Sequence, residues 1–545
     1  MRGLKHKERI ESGSGEGFLS GVLVLSMSTL IVKIIGLVSK IPMIAHLGAE
    51  GMGYFNSAYE IYAMLCVIST AGLPVALSML ISESRERGEP GEIRRIYRVA
   101  RRVFLLLGAT GSLLMIGLAR PLSVWIGNEN AYLCILAIAP ALFFVCLSCA
   151  VRGYFQGFHR MAPTALSQLI EAVGKLIFGI GFAAWARARG MELPVTAACA
   201  ILGLSLGCLL SALYLLLLRA RSERGRWEER PSSSNVHYGG ALLRIALPIT
   251  LSSAVLSVTR LVDMALIMRR LQDTGVSAAE SNRIFGAYTT LALPVFGLIP
   301  SLITPIALAL VPKLTAAIEG GAREEQIQVG NRALRLTVLL SLPASLGVVV
   351  YAKPILGLLF RNEPDSVALT APLLSILGGS ILFSGLITTT NGILQSYRRP
   401  WKPILSMAIG AGVKLVSAYV LIGIPSIGVR GAPISTFLCN VTVTLINLRC
   451  LRACVPKGGK ETGIWALYGK PLLASCLAIL ASLSLYLPLS RMSGEELAFV
   501  GAAAVAVIVY GAMAILLRIV TAQDLDTLPS IGHRKTKTRR KLAVK

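Results

Sequence analysis

Residues 152–177, RGYFQGFHRMAPTALSQLIEAVGKLI, return in altered form at 391–416, NGILQSYRRPWKPILSMAIGAGVKLV. A constant spacing of 239 residues pairs Gly153 with Gly392, Gln156 with Gln395, Arg160 with Arg399, Ser167 with Ser406 and Lys175 with Lys414. Phe158 and Tyr397 form an aromatic pair at the same spacing. Upstream, AGLPVAL at 71–77 parallels LITPIAL at 302–308. The chain therefore reads as a duplication, and the segments between the copies say of what.

Those segments are apolar and long. The 545 residues are 54% hydrophobic and only 15% charged, with a mean hydropathy of +0.68; ordinary globular chains carry roughly 25% charged residues. A hydrocarbon core of about 30 Å needs about 20 apolar residues per helix. Fourteen such stretches follow one another, the first six at 18–46, 53–82, 98–119, 131–156, 162–185 and 193–218. The next six lie at 241–268, 285–312, 335–359, 367–396, 402–423 and 430–452, and two more at 466–488 and 496–519. None alternates in the manner of a barrel strand, so the spans are helices. The expected fold is an all-α polytopic membrane protein of two pseudo-symmetric six-helix lobes plus two C-terminal helices. Six spans separate the copies, so both run the same way through the membrane.

The lobes are expected at 18–218 and 241–452, joined by an Arg-, Ser- and Gly-rich linker at 219–240. A short N-terminus (1–17), the pair at 453–520 and a basic tail (521–545) complete the chain. Basic residues crowd alternate connections: Arg2, Lys5, Lys7 and Arg9; Arg85 through Arg102; Arg219 through Arg230; Arg449 through Lys470; and Arg534 through Lys541. By the positive-inside rule this side is cytoplasmic and holds both termini, which an even number of spans requires. The formal charge of +26 thus reads as membrane orientation and lipid attraction, with no nucleic-acid partner implied. Cys146 and Cys149 form a CxxC inside an apolar run with no histidine cluster nearby, and read as small packing residues. No P-loop, zinc motif or large loop bearing catalytic residues is present, so neither an ATPase nor an enzyme is expected, and no cofactor or metal.

Charges inside spans are costly, about 2.5–3.5 kcal/mol each on the lenient scale, and usually line a cavity or pair. They are Lys33, Lys40, Glu60, Glu171, Lys175, Arg260, Asp263 and Lys414. Lys33 and Lys40 share a helix face. Glu171–Lys175 and Arg260–Asp263 are spaced to pair locally, or to face a common cavity. Glu60 either neutralises Lys40 or carries a coupling proton. Five cations against three carboxylates suit an anionic ligand between the lobes. Interior prolines at 74, 140, 248, 294, 300, 305 and 343 mark bends that either pack in place or rearrange.

The runs STLIVKIIGLVSKIPMIAHLGAEGMGYFNSAYEIYAMLCVISTAGLPVALSMLISES (28–84) and RGYFQGFHRMAPTALSQLIEAVGKL (152–176) resemble the oligosaccharidyl-lipid flippases. These belong to the multidrug/oligosaccharidyl-lipid/polysaccharide exporter superfamily, and the branch resembled holds stage V sporulation protein B and the lipid II flippases. The resemblance covers nearly the whole chain, the two additional helices included. It implies export of undecaprenyl-diphosphate-linked sugars by alternating access through a cationic cavity in the bacterial cytoplasmic membrane. Membrane lipids, and cell-wall synthesis proteins, are the further partners it implies.

Within the resemblance, Lys33 falls where lipid II flippases have a cavity arginine before the span-1 glycine, here Gly36. Ser39 falls on their second arginine, Lys40 on an aspartate and Glu60 on an arginine. These departures point to a sporulation-type or other polysaccharide-precursor subgroup. Some members bind sodium through a span-7 aspartate and span-11 oxygens. Asp263 fits the first role, but span 11 offers Lys414, whose ammonium would stand in for the ion. The driving force is left among protons, sodium and the membrane potential. Lys33, Lys40, Arg260 and Lys414 are expected to contact the diphosphate, with Glu60, Glu171, Lys175 and Asp263 tuning it. The rival readings are a drug/cation antiporter, which would want an acidic cavity, and a membrane-embedded polysaccharide polymerase or ligase.

Overall fold

The computed structural model describes residues 2–223, 238–399, 401–454 and 465–517. The expected linker lies mostly outside the described residues, and the expected tail wholly so. The first half holds α1 (Arg2–Thr70), α2 (Leu73–Glu86), α3 (Pro90–Gly117), α4 (Ala119–Ile126), α5 (Tyr132–Gly157), α6 (Ala162–Ala188) and α7 (Leu193–Glu223). The second holds α8 (Tyr238–Asp273), α9 (Ala278–Ala287), α10 (Leu293–Glu319), α11 (Arg323–Leu359), α12 (Pro364–Ser396), α13 (Trp401–Ile422) and α14 (Gly431–Arg452). Two more, α15 (Lys470–Ser493) and α16 (Glu495–Leu516), complete the described chain.

Thirteen stretches are long and apolar enough to cross a membrane, and the first, Met27–Glu86, is 60 residues. As one straight helix it would measure about 90 Å, twice the thickness of a bilayer. It is not straight. Gly48 sits at φ +63° and ψ 177°, a conformation that favours glycine because it has no Cβ. The ammonium of Lys40 donates to the Thr289 carbonyl at 2.8 Å, and the Asn56 amide to the Thr289 hydroxyl at 2.9 Å. Sixteen residues of continuous helix would hold those two side chains about 24 Å apart, so the chain folds back at Gly48. The 60-residue stretch is two spans, and the crossings among the described residues number fourteen.

The duplication is visible in the backbone. Two residues beyond the ends of α5 and α12 stand non-glycine residues of positive φ, His159 at 58° and Arg398 at 55°, 239 residues apart. The same turn bonds recur, Arg160 N–H to the Phe155 carbonyl at 3.0 Å and Arg399 N–H to the Leu394 carbonyl at 3.1 Å. The next helices start at Ala162 and Trp401, again 239 apart. AGLPVAL and LITPIAL diverge, because the first breaks at Ala71 and Gly72 before α2, whereas the second lies inside the unbroken α10. Of the interior prolines, Pro74 sits in the first turn of α2, where its missing N–H costs nothing, whereas Pro294 stands just beyond a π-helical turn, Tyr288–Ala292.

Packing within a lobe depends on small residues, since lipid offers no hydrophobic drive between helices. A Cβ on Gly203 of α7 would lie 2.2 Å from the Gly179 nitrogen of α6, a clash no rotamer relieves. Cys146 and Cys149 are buried free thiols of α5. Outward faces stay apolar, with Leu217 62% and Val507 72% exposed, which only lipid accommodates. α15 and α16 dock on the second lobe through α11, where Lys353 pairs with Glu495 at 2.8 Å and the Tyr351 hydroxyl meets Ser482 at 2.6 Å.

Candidate functional site

Between the lobes lies a cavity of about 930 Å³, near the upper end of ordinary ligand pockets. All eight intramembrane charges line it. Lys33, Lys40 and Glu60 come from α1 on either side of its fold, Glu171 and Lys175 from α6, Arg260 and Asp263 from α8, and Lys414 from α13. A ninth charge lines it too, Arg152 of α5. Six cations thus face three carboxylates.

Neither local pair forms. Glu171 bonds Arg152 at 2.9 Å in place of Lys175, and the same guanidinium donates to Ser167 at 2.9 Å and Ser211 at 3.1 Å. The planar fork explains the choice: it reaches three acceptors on α6 and α7 at once, which a lysine one turn away cannot. The Lys175 ammonium lies instead over the Tyr59 and Phe55 rings, 4.8 and 5.8 Å from their centroids, a desolvated cation–π setting. Asp263 pairs across helices with Lys414 at 2.8 Å, both side chains about one-seventh exposed, and not with Arg260. Lys414 is therefore already neutralised, unlike the free cavity cation that the sequence suggests. Glu60 makes no ion pair within 4.0 Å among the described residues but lies in electrostatic reach of Arg260, Lys40 and Lys414. With two carboxylates paired, Lys33, Lys40, Lys175 and Arg260 face the single carboxylate of Glu60.

The end of the cavity away from the basic connections is closed by a π-helical turn, Tyr288–Ala292, between α9 and α10. In such a turn each carbonyl bonds the N–H five residues on, as the Leu293 N–H does for Tyr288. The donor for Thr289 would be residue 294, a proline with no N–H. An orphaned carbonyl costs about 1–3 kcal/mol, and the Lys40 ammonium relieves it across the lobe interface. Asn56 adds bonds to the Thr289 and Thr290 hydroxyls at 2.9 and 2.8 Å. Farther out, Asn128 bonds Ser57 and Asn282, and Asn282 the Glu50 carbonyl. Toward the basic side, Lys33 bonds Ser301 and the Tyr238 hydroxyl bonds Glu92 at 2.6 Å. The cavity lies between two layers of contact that bridge the lobes.

Arg152, Asn56, Thr289 and Ser301 are the residues that sequence reading leaves out. Arg152 had a signal, a guanidinium within the apolar span 131–156. The hydroxyls had none, since serine and threonine are common in any membrane helix. Among the described residues no three His, Cys, Asp or Glu side chains cluster in the manner of a metal site.

Comparison with known proteins places this arrangement. Stage V sporulation protein B of Bacillus subtilis (strain 168) is 23% identical over 95% of this chain and 98% of its own length. The lipid II flippase MurJ of the same organism is 26% identical over 73% of this chain and 76% of its own. A solved lipid II flippase MurJ, in an inward closed conformation, superimposes with a TM-score of 0.68 at 15% identity, covering 91% of this chain and 99% of that one. The model of the MatE family matches residues 248–420. The model of the polysaccharide biosynthesis protein family matches residues 18–317, more than half of the chain, and the protein belongs to that family.

Proposed function

We propose that the protein is a flippase for polyprenyl-diphosphate-linked sugar precursors, of the lipid II class, and that it works by alternating access. The observation that carries this reading is the convergence of Lys33, Lys40, Lys175 and Arg260 on one interlobe cavity with a single unpaired carboxylate. A diphosphate cannot cross hydrocarbon unaided, whereas a polyprenyl tail can stay in it. The chain need only offer the headgroup a wet cationic path while its two layers of contact open in turn. Catalysis of bond cleavage is no part of this, so the protein is read as a transporter and not an enzyme. The basic connections would face the cytoplasm, with both termini inside the bacterial plasma membrane.

Lys33 and Arg260 would bind the diphosphate directly. Lys40 would bind it on leaving the Thr289 carbonyl, which would couple the substrate to opening of the far layer. Glu60 would bias release. Lys414, held on Asp263, would occupy the place of a coupling cation, so transport would not depend on sodium. The antiporter reading wants the opposite charge balance for cationic drugs.

The test is reconstitution in vesicles with a fluorescent polyprenyl-diphosphate sugar, scoring its exposure on the opposite leaflet. Lys33→Ala and Arg260→Ala are expected to lose at least about tenfold in rate, a cost of about 1.4 kcal/mol or more in transition-state terms. Full activity in both variants, each inserting normally, removes the assignment.

A further inference from the structure

The cavity does not account for a dense patch of positive charge on the described residues. α3 carries Arg94, Arg95, Arg98, Arg101 and Arg102 in three turns, all exposed, and no residue of α3 lines the cavity. At about 100° per residue the five fall within an arc of about 120°. The opposite arc is buried core: Ile93, Ile96, Tyr97, Ala100 and Phe104. Followed along the helix, the basic stripe becomes apolar while staying exposed, with Leu106 66% and Leu113 67% exposed. One outward face therefore passes from arginine to leucine, which is the sequence of environments from headgroup to acyl chain.

Length agrees with this placement. The 28 residues of α3 span about 42 Å, against about 30 Å of hydrocarbon. The surplus is at the arginine end and sets the stripe at headgroup depth, from which long side chains reach the interface. Among the described residues no carboxylate pairs with Arg98, Arg101 or Arg102, whereas Glu92, the acidic residue nearest in sequence, is 5% exposed and takes the Tyr238 hydroxyl. A topogenic signal needs only positive residues somewhere in a short loop. It requires neither one helical face nor continuity with a lipid-facing leucine stripe.

We infer that the Arg94–Arg102 face of α3 is a binding surface for the phosphodiester headgroups of anionic phospholipids of the surrounding leaflet. The guanidinium groups would each take phosphate oxygens in paired hydrogen bonds, and the leucines below would lie along the acyl chains. The surface adjoins the seam between the lobes, because Arg95 lies over the Tyr238 ring of α8 at 5.7 Å. Bound lipid would thus touch the layer of contacts that has to part during transport.

The experiment uses the full chain purified in a nonionic detergent and titrated with phosphatidylglycerol or phosphatidylcholine in mixed micelles, with melting followed by tryptophan fluorescence. Phosphatidylglycerol is expected to raise the melting temperature saturably, phosphatidylcholine is not, and the effect should shrink from 0.1 to 1 M salt as screening shortens. The variant R98Q/R101Q/R102Q should need on the order of 100-fold more phosphatidylglycerol, whereas R98K/R101K/R102K, which keeps the charge and loses the paired bonds, should fall between that and wild type. R398Q/R449Q/R452Q, an equal charge change elsewhere on the same side, should also keep the response. Should the glutamine triple fail to purify, R98Q, R101Q and R102Q singly carry the test, each raising the half-saturating concentration about fivefold. A wild-type response in the glutamine variants overturns the assignment. So does equal loss in the control triple, or stabilisation by inorganic pyrophosphate that the glutamine triple loses in step with that by phosphatidylglycerol, which would mark a site for free anions on the same face.

Discussion

The α5–α6 and α12–α13 copies share a backbone register to the residue, yet they solve the same internal position with different chemistry. Arg152 of α5 corresponds to Asn391 of α12, and Glu171 of α6 to Gly410 of α13. In the first lobe the pair is ionic, Arg152 bonding Glu171, Ser167 and Ser211. In the second it is neutral: the Asn447 amide bonds the Asn391 and Thr390 oxygens at 2.8 and 3.0 Å, and Ser406 bonds Asn447 at 2.6 Å. The intramembrane charge kept in both, Lys175 and Lys414, meets opposite partners, two aromatic rings in one lobe and Asp263 in the other. Duplication fixes where a polar group sits. Its partner is free to drift, and the drift places the unpaired charge mainly on the first lobe and on the seam.

Several substitutions would break or sharpen that contrast. The largest effect is expected from Arg152→Ala, which strands Glu171. That carboxylate is 30% exposed to the cavity, so a loss of about 2–3 kcal/mol is expected, short of a dry pair, read as a lower melting temperature. Writing the second lobe's solution into the first, as R152N/E171G, should cost less than R152A, since no charge is orphaned; a double-mutant cycle measures the coupling. A cycle with no coupling would mean the ion pair is incidental. In the second lobe Asn391→Ala should cost about 1 kcal/mol in the same assay, the ordinary value of a neutral hydrogen bond.

Asp263→Ala frees Lys414 and is expected to leave transport independent of sodium, with a changed rate. Sodium-dependent transport in the wild type that disappears in Asp263→Ala would overturn the substitution of ammonium for ion. The smallest effect is expected from Pro294→Ala. It restores an N–H for the Thr289 carbonyl and should weaken the hold of Lys40 by a fraction of a kcal/mol, seen as faster hydrogen exchange across Tyr288–Ala292.

Much of the architecture was legible without coordinates. Fourteen apolar segments, the repeat at 239 residues and eight of the nine charges in the cavity were read from periodicity and the cost of burying charge in lipid. Those eight residues were readable as one set because a bilayer penalises each of them alike. Their pairing was not readable. Glu171 and Lys175 have the spacing of a helical pair, and so do Arg260 and Asp263, but the bond each makes depends on what the neighbouring helix presents. The same limit applies to Thr289, whose carbonyl matters only because a π-turn and Pro294 together leave it without a donor.

The sequence by itself determined the number of crossings, the duplication and which charged groups must leave the lipid, because these are governed by local hydropathy and one-dimensional spacing. Only the tertiary structure decided that Arg152 takes Glu171, that Asp263 takes Lys414, and that Lys33, Lys40, Lys175 and Arg260 remain to face the void. Partner choice in a low-dielectric interior is set by distances of a few ångströms between helices remote in the chain. Those distances arise when small residues let whole helices close on one another, and no local pattern encodes them.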